Sequence, residues 1–227
     1  MESKFRHELK YEISYHEYID LKLRIQPIMQ RDVHTDGSGT YNIRSLYFDN
    51  CYDKALKEKL DGIQNRDKFR IRCYNNDFSF IVLEKKSKRN SLCLKKSCNL
   101  TREQCEMILN GDIGFMAESE NEVLADFYAA QSAQLMRPKT IVVYSREPFV
   151  FEAGNVRITF DSEIKTGLYS TDFFDAELPL IPVIDNSKMI LEIKYDEFLP
   201  DIIRHAIQSG VPRVQAFSKY AACRQYE

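Results

Sequence analysis

The chain has 227 residues, 44% hydrophobic and 29% charged, with a formal net charge of −2. This is the composition of an ordinary soluble globular chain, read as one domain over residues 1–227 with enough length to bury a full core. A net charge so near zero advertises neither nucleic acid nor an anionic membrane, so a polyanion site would have to come from local segregation of charge.

Phe5 to Ile13 alternates, with Glu8, Lys10 and Glu12 on one face and Leu9, Tyr11 and Ile13 on the other, and reads as the first strand. Ser14 and Glu17 make a capping box, after which Tyr18, Leu21, Ile25 and Ile28 recur at helical spacing, and Pro27 is expected to kink or end the helix. Asp36 to Gly39 is a loop, and Tyr41 to Asp49 is a strand with Ser45, Tyr47 and Asp49 on one face. A short charged helix is expected from about Tyr52 to Leu60, stopped by Asp61-Gly62.

Next comes the stretch that sets the chemistry. Arg66, Lys68, Arg70 and Arg72 occupy one face of a strand, and Phe69, Ile71 and Cys73 the other. After a turn at Asn75-Asn76-Asp77, Phe78 to Lys88 carries Glu84, Lys86 and Lys88 opposite Ile81 and Leu83. A second turn at 88–91 leads to a strand where Leu92 and Leu94 oppose Cys93 and Lys95, completing an antiparallel meander. Thr101 and Gln104 open a helix ending near Gly111, and 119–135 is Ala-rich and helical in period.

Pro138 to Glu147 is strand-like with Tyr144 and Arg146. Val156 to Asp161 alternates, with Arg157, Thr159 and Asp161 on one face. Residues 162–187 show no clear period and are expected to wrap the surface. Lys188 to Tyr195 is a strand with Glu192 and Lys194 on one face. The remainder reads as two helices broken near Gly210-Val211-Pro212, the second opened by Phe217-Ser218-Lys219-Tyr220. There is no internal repeat or linker, and hairpin-length connections require a mostly antiparallel sheet.

The six cysteines show no CxxC pairing, and His7, His16, His34 and His205 supply no zinc-like companions, so free thiols in a reducing compartment are expected. The first residues lack the apolar core of a signal peptide, and no window approaches the ~18–20 apolar residues of a membrane span. A cytoplasmic location follows as the expectation.

Four like charges at ~6–7 Å spacing repel one another. One such row could be a solvated strand face, but the pattern returns in strand after strand. Lys10, Arg66 to Arg72, Lys86, Lys88, Lys95, Arg146, Arg157 and Lys194 share polar faces with fewer carboxylates, namely Glu8, Glu12, Glu84, Asp161 and Glu192. Closing the sheet into a barrel with helices outside would turn these faces into a wet lumen, because an unpaired buried ion costs several kcal/mol. Arg and Lys with a few carboxylates suit a phosphate chain plus a hard divalent cation. No GxxxxGK or GxGxxG is present, so side chains would have to bind the phosphate. Nucleic acid fits poorly, since Phe69 and Phe80 are assigned to the apolar faces and are not interleaved with the basic residues.

These residues resemble a family. R-x-E-x-K-Y at 6–11, SLYFD at 45–49, R-x-K-x-R-x-R at 66–72, E-x-K-x-K at 84–88, Y-x-R at 144–146, RITFD at 157–161, LEIKY at 191–195 and SKY at 218–220 look like the polyphosphate polymerase (VTC) domain. That domain belongs to the triphosphate tunnel metalloenzymes, related to the CYTH phosphatases and cyclases. The resemblance runs nearly end to end. It implies an α+β fold, a closed, mainly antiparallel eight-stranded barrel with helices packed outside. It also implies that Lys10, Arg70, Arg72, Lys86, Lys95, Arg146, Arg157, Ser218 and Lys219 contact phosphates, with Lys95 preferred over Lys96 on strand alternation. Glu192 would hold Mn2+ or Mg2+, and Glu192, Lys219 and Lys10 would carry catalysis. Lys68, Lys88, Lys194, Asp49 and Asp161 are lining residues of second rank.

Two departures qualify the match. The CYTH pattern E-x-E-x-K needs a glutamate where this chain has Arg6, which argues against a thiamine-triphosphatase or cyclase. The inositol-phosphate-sensing domain and membrane helices of the fungal polymerases are not in the sequence, so a stand-alone module, or one working beside a separate membrane protein, is expected. The activity implied is transfer of the γ-phosphate of ATP onto polyphosphate. The alternatives are hydrolysis of inorganic or nucleoside triphosphates, or a non-catalytic polyphosphate or nucleotide sensor.

Overall fold

The computed structural model describes residues 4–33, 35, 37–208 and 217–226. Its elements are β1 (Arg6–Ser14), α1 (Tyr15–Ile25), β2 (Gln30–Arg31), β3 (Tyr41–Asp49), α2 (Lys54–Leu60), β4 (Arg66–Tyr74), β5 (Asp77–Arg89), β6 (Leu92–Leu100), α3 (Arg102–Asn110), α4 (Glu122–Gln134), β7 (Arg137–Phe151), β8 (Val156–Thr166), β9 (Ile181–Pro182), β10 (Lys188–Tyr195), α5 (Asp201–Gln208) and α6 (Lys219–Cys223). His34, Asp36 and the break expected at 210–212 lie outside the described residues. Among the described residues, no helix is long and apolar enough to cross a membrane.

Eight strands close into an antiparallel barrel in the order β7-β3-β4-β5-β6-β1-β10-β8, with β8 returning to β7 and the two-residue strands β2 and β9 added at the margins. The meander expected from 66 to 100 is present, and its first turn has a local cause. Asn75 and Asn76 take φ of 51° and 54°, the left-handed pair that matches the twist of a two-residue hairpin. Among the described residues the seam between β1 and β6 is short, joining Arg6 to Cys93 and His7 to Leu92. Beyond it, Glu8 spans the gap with its side chain, accepting from Lys86 at 2.7 Å.

Strand alternation sends one set of side chains outward, and the helices cover it. Leu46, Phe69, Ile71, Leu83 and Ile141 pack against Cys105, Ile108 and Phe127 of α3 and α4. Ile13, Ile158, Phe160, Leu191 and Ile193 pack against Leu21, Ile25, Ile203 and Ile207 of α1 and α5. Phe127 is wholly buried between Phe48 and Phe69, and truncating such a ring costs about 3–5 kcal/mol. Both expected capping boxes form: Glu17 N donates to Ser14 Oγ at 3.3 Å, and Gln104 N to Thr101 Oγ1 at 3.2 Å.

The segment 162–187 departs from expectation. β8 continues to Thr166 and pairs with β7, and Phe173 is fully buried in the outer core, so this segment does not simply wrap the surface. Phe80 also differs. It alternates onto the same face as Val82 and Glu84, where it is half exposed and tilted against Tyr74.

Candidate functional site

The inward faces form a charged lumen arranged around four carboxylates. Glu84 on β5 is opposite Arg70 on β4 in the register. Arg70 Nε donates to Glu84 Oε2 at 2.7 Å, and Arg70 Nη1 donates to the Tyr47 hydroxyl at 2.7 Å. Arg72 lies 3.6 Å from the same carboxylate and donates to Ser45 Oγ at 3.0 Å and the Tyr144 hydroxyl at 3.1 Å. Lys95 Nζ reaches Glu84 Oε1 at 3.0 Å, whereas Lys96 points outward to Glu122 on α4. Burial alone would raise the Glu84 carboxyl; Arg70, Arg72 and Lys95 outweigh that and hold it well below the usual range.

The second centre joins β7, β8, β10 and α6. Arg146 grips Asp161 with two parallel hydrogen bonds, at 2.7 and 2.8 Å, and extends Nη2 to Glu192 Oε2 at 3.0 Å. Lys219 Nζ lies 2.5 Å from Asp161 Oδ2 and over the Tyr144 ring. Asp161 is fully buried and Glu192 is 4% exposed, so both anions depend on these partners.

The third centre is a checkerboard on β1 and β10, where Glu8 faces Lys194 and Lys10 faces Glu192 in register. Lys10 Nζ lies 3.7 Å from Glu8 and 3.6 Å from Glu192; Lys194 Nζ lies 3.8 Å and 3.4 Å from the same pair. Burial would raise the Glu192 carboxyl, but Lys194, Lys10 and Arg146 keep it well below its ordinary value. Burial likewise opposes ionisation of Glu8, and Lys10 and Lys86 offset it. Burial pushes the Lys194 ammonium down to about 8 despite the two glutamates.

Lys10, Arg70, Arg72, Lys86, Lys95, Arg146 and Lys219 are thus brought together around Glu8, Glu84, Asp161 and Glu192. Arg157 is near the rim, bonded to Asp32 at 2.7 Å and to the Tyr41 hydroxyl at 3.0 Å. Lys68 is in register with Lys86, and Lys86 with Lys95, making a row of three lysines across β4, β5 and β6; Arg66 faces Lys88 one step outward. Two assigned residues have structural duties. Ser218 accepts from Ala221 N at 3.3 Å and caps α6. Asp49 is buried, accepts from Ala55 N at 2.8 Å and Leu56 N at 3.1 Å at the start of α2, and takes the Tyr220 hydroxyl at 2.7 Å. α6 itself packs against the inward faces at one end, with Tyr220, Ala222 and Cys223 against Ile43, Val142 and Ile190.

Sequence reasoning counts Glu84 and Glu8 among the carboxylates of the polar faces but assigns neither a specific phosphate or metal contact, although both share the inward face with assigned lysines. Alternation marked them; the hairpin register, which decides what each one meets, had to come from the fold. A separate cavity of about 510 Å3 lies outside the wall, between α2 and α4, and includes Phe69, Lys85, Asp126 and Ala130. Lys85 and Asp126 pair with each other there at 2.7 Å, and the lumen chemistry is elsewhere.

Among the described residues no cluster of three or more His, Cys, Asp or Glu could hold a metal ion unaided. Glu8 and Glu192, however, are hard oxygen donors on neighbouring strands. Mg2+ and Mn2+ are commonly held by one or two carboxylates, with phosphate and water completing the shell, so this donor pair fits.

Residues 5–226 match the family model of the VTC domain. No match was found among curated proteins. Among solved structures, the chain is similar to a Hippeastrum protein, an adenylyl cyclase by name with a dominant triphosphatase activity. The identity is 13% and the TM-score 0.56, with 98% of this chain and 96% of that one covered. It is also similar to the PH1012 protein of Pyrococcus horikoshii OT3 (12% identity, TM-score 0.51, 94% and 96% covered). An adenylate cyclase-like protein of Bacillus halodurans matches at 14% identity and TM-score 0.50, with 91% and 86% covered. At these identities the likeness is one of fold, that of a triphosphate tunnel.

Proposed function

Because the chain belongs to the VTC domain family, we propose that it is a polyphosphate polymerase, moving the γ-phosphoryl of ATP onto a growing polyphosphate chain held in the barrel. The observation that carries this reading is the length of the cationic row. Lys68, Arg70 and Arg72 alternate onto the inward face of β4, with Arg66 at its first position donating to the Ile63 carbonyl, and the six strand steps from 66 to 72 span about 20 Å. Three linked phosphates cover less than half of that. A lumen with cations along its whole length suits a chain better than a single triphosphate.

Phosphoryl transfer asks the protein for positioning and charge neutralisation more than for covalent help. Arg70, Arg72 and Arg146 present planar forks to phosphate oxygens, with Tyr47, Ser45 and Tyr144 fixing the first two guanidiniums before substrate arrives. Lys10 and Lys219 supply point charges at either side of Glu192 and Asp161. These cations share their carboxylates, Arg70 and Arg72 on Glu84, Arg146 and Lys219 on Asp161, and Lys10 on Glu192, so a phosphate chain adds anionic charge where cations outnumber carboxylates. Glu192, with Glu8 beside it, would hold a divalent cation, Mn2+ or Mg2+, which supplies neutralisation of the charge on the transferred phosphoryl.

A triphosphatase is the second reading, favoured by the activity stated for the Hippeastrum neighbour. Incubating the purified chain with ATP and Mn2+, then resolving products on a gel and assaying free phosphate, decides between them. Long chains are expected. Free phosphate without long chains overturns the polymerase, and neither product with retained ATP binding makes the protein a sensor.

A further inference from the structure

One hydroxyl in the lumen stands outside the network. Thr159 is 1% exposed, and its Oγ1 meets no hydrogen-bond partner among the described residues. It sits on β8 between Arg157 and Asp161 on the inward face, directly opposite Glu192 in the register with β10. Its register partner on the other side is Pro148, whose nitrogen carries no hydrogen. Glu192 has both oxygens engaged by cations, Oε1 by Lys10 and Lys194 and Oε2 by Arg146. Arg157 Nε, next along the same face, is buried and unbonded as well, while its Nη2 is held by Asp32 and Tyr41.

A buried hydroxyl without a partner costs stability that valine, nearly isosteric and equally suited to a strand, would not. Same-face neighbours on a strand are ~6–7 Å apart, a gap that a tetrahedral phosphoryl can bridge with two of its oxygens. We propose that Thr159 is a substrate-binding residue: its hydroxyl donates to one terminal oxygen of the phosphoryl unit beside Glu192, and Arg157 Nε donates to a second oxygen of the same unit. This rests on the reading of the tunnel as the phosphate site, and it adds a hydroxyl contact to the β8 wall of that site, between Arg157 and Asp161. Thr159 thereby orients the unit, since a hydroxyl fixes direction where an ammonium does not.

The test measures tripolyphosphate binding by calorimetry, and melting without ligand, for the wild type, Thr159→Val and Thr159→Ser. Thr159→Val is expected to melt at or above the wild-type temperature and to bind tripolyphosphate about tenfold more weakly, while Thr159→Ser stays within about twofold in affinity. Wild-type affinity in Thr159→Val overturns the assignment and leaves the tunnel reading standing. A Thr159→Val chain that loses stability or does not fold shows that the hydroxyl has its partner within the protein, and overturns it too. If the wild type itself binds no tripolyphosphate, the tunnel reading falls and takes this assignment with it.

Discussion

Arg146 and Asp161 meet face to face inside the barrel, Nε to Oδ1 at 2.7 Å and Nη2 to Oδ2 at 2.8 Å, with Asp161 wholly removed from solvent. The same carboxylate also holds Lys219, which ties the last helix to the wall. Removing one member of a buried pair strands the other, a loss of about 3–5 kcal/mol. Asp161→Ala leaves Arg146 and Lys219 without their shared anion, so urea unfolding should show a fall of about that size. Added tripolyphosphate should restore part of it by replacing the missing charge. A variant as stable as the wild type would show that the pair contributes nothing net.

The second prediction generalises this to the whole lumen. Cations crowded around few carboxylates destabilise the empty barrel, and a bound polyanion relieves them. At a ligand concentration 100 times the dissociation constant, linkage adds about 2.7 kcal/mol. Tripolyphosphate and sulfate should raise the melting temperature, and chloride at equal ionic strength should not. Equal shifts with chloride would reduce the lumen to a screened charge cluster.

Much of this was visible in the sequence, for a reason that individual residues make plain. The alternation of Arg66 to Cys73 assigns faces without knowledge of any partner strand, and the same rule separates Lys95 from Lys96. The rule fails where the backbone breaks step. In β8 the pairing with β7 shifts next to Glu163, which takes φ of 50°, so Asp161 and Ile164 both face inward although three positions apart. The period is lost there, and the strand's last residues read as loop. Helix capping hides for another reason. Asp49 on its strand and Ser218 at the start of the last helix read as lining oxygens, and only the positions of α2 and α6 reveal the backbone amides they accept from. Alternation puts Thr159 on the charged face beside Arg157 and Asp161, but nothing in the sequence marks its hydroxyl as unpartnered, because a threonine on a strand is ordinary.

The third prediction separates metal dependence from anion affinity. Glu192 touches Lys10, Lys194 and Arg146, so Glu192→Gln frees three cations and should leave tripolyphosphate affinity equal or higher. If Glu192 holds the divalent ion, ATP-dependent turnover should nevertheless collapse. Arg70→Ala should do the reverse, weakening tripolyphosphate by about 1.5–3 kcal/mol through loss of a charge-assisted fork. Calorimetry and a turnover assay at limiting Mn2+ measure both. Near-normal turnover in Glu192→Gln would remove Glu192 from the metal site.

The fourth prediction concerns protons. Burial, with Arg66, Lys10 and Lys59 nearby and Asp49 opposing, pushes the Lys68 ammonium down to about 7 from 10.5. The groups around it come from every neighbouring element: Lys59 of α2, Lys10 of β1, Asp49 of β3, Lys86 of β5, and the Tyr220 ring of α6, over which Lys68 lies at 4.9 Å. A lysine with a depressed folded value binds fewer protons folded than unfolded between about pH 7 and 10.5, so the empty protein gains stability as pH rises through that window. The penalty is complete below pH 7. Lys68→Met should therefore stabilise the empty protein most below pH 7, with the gain fading as pH approaches 10.5. A polyanion in the lumen reverses the depression, so tripolyphosphate binding near pH 8 should draw protons from solution. Calorimetry in two buffers of different ionisation enthalpy counts those protons. Uptake should shrink in Lys68→Met, the remainder coming from Lys194, whose folded value of about 8 lies in the same window. Uptake identical in wild type and variant would mean that Lys68 is already charged in the empty barrel, and that its neighbours do not crowd it as the geometry of β4, β1 and α2 implies.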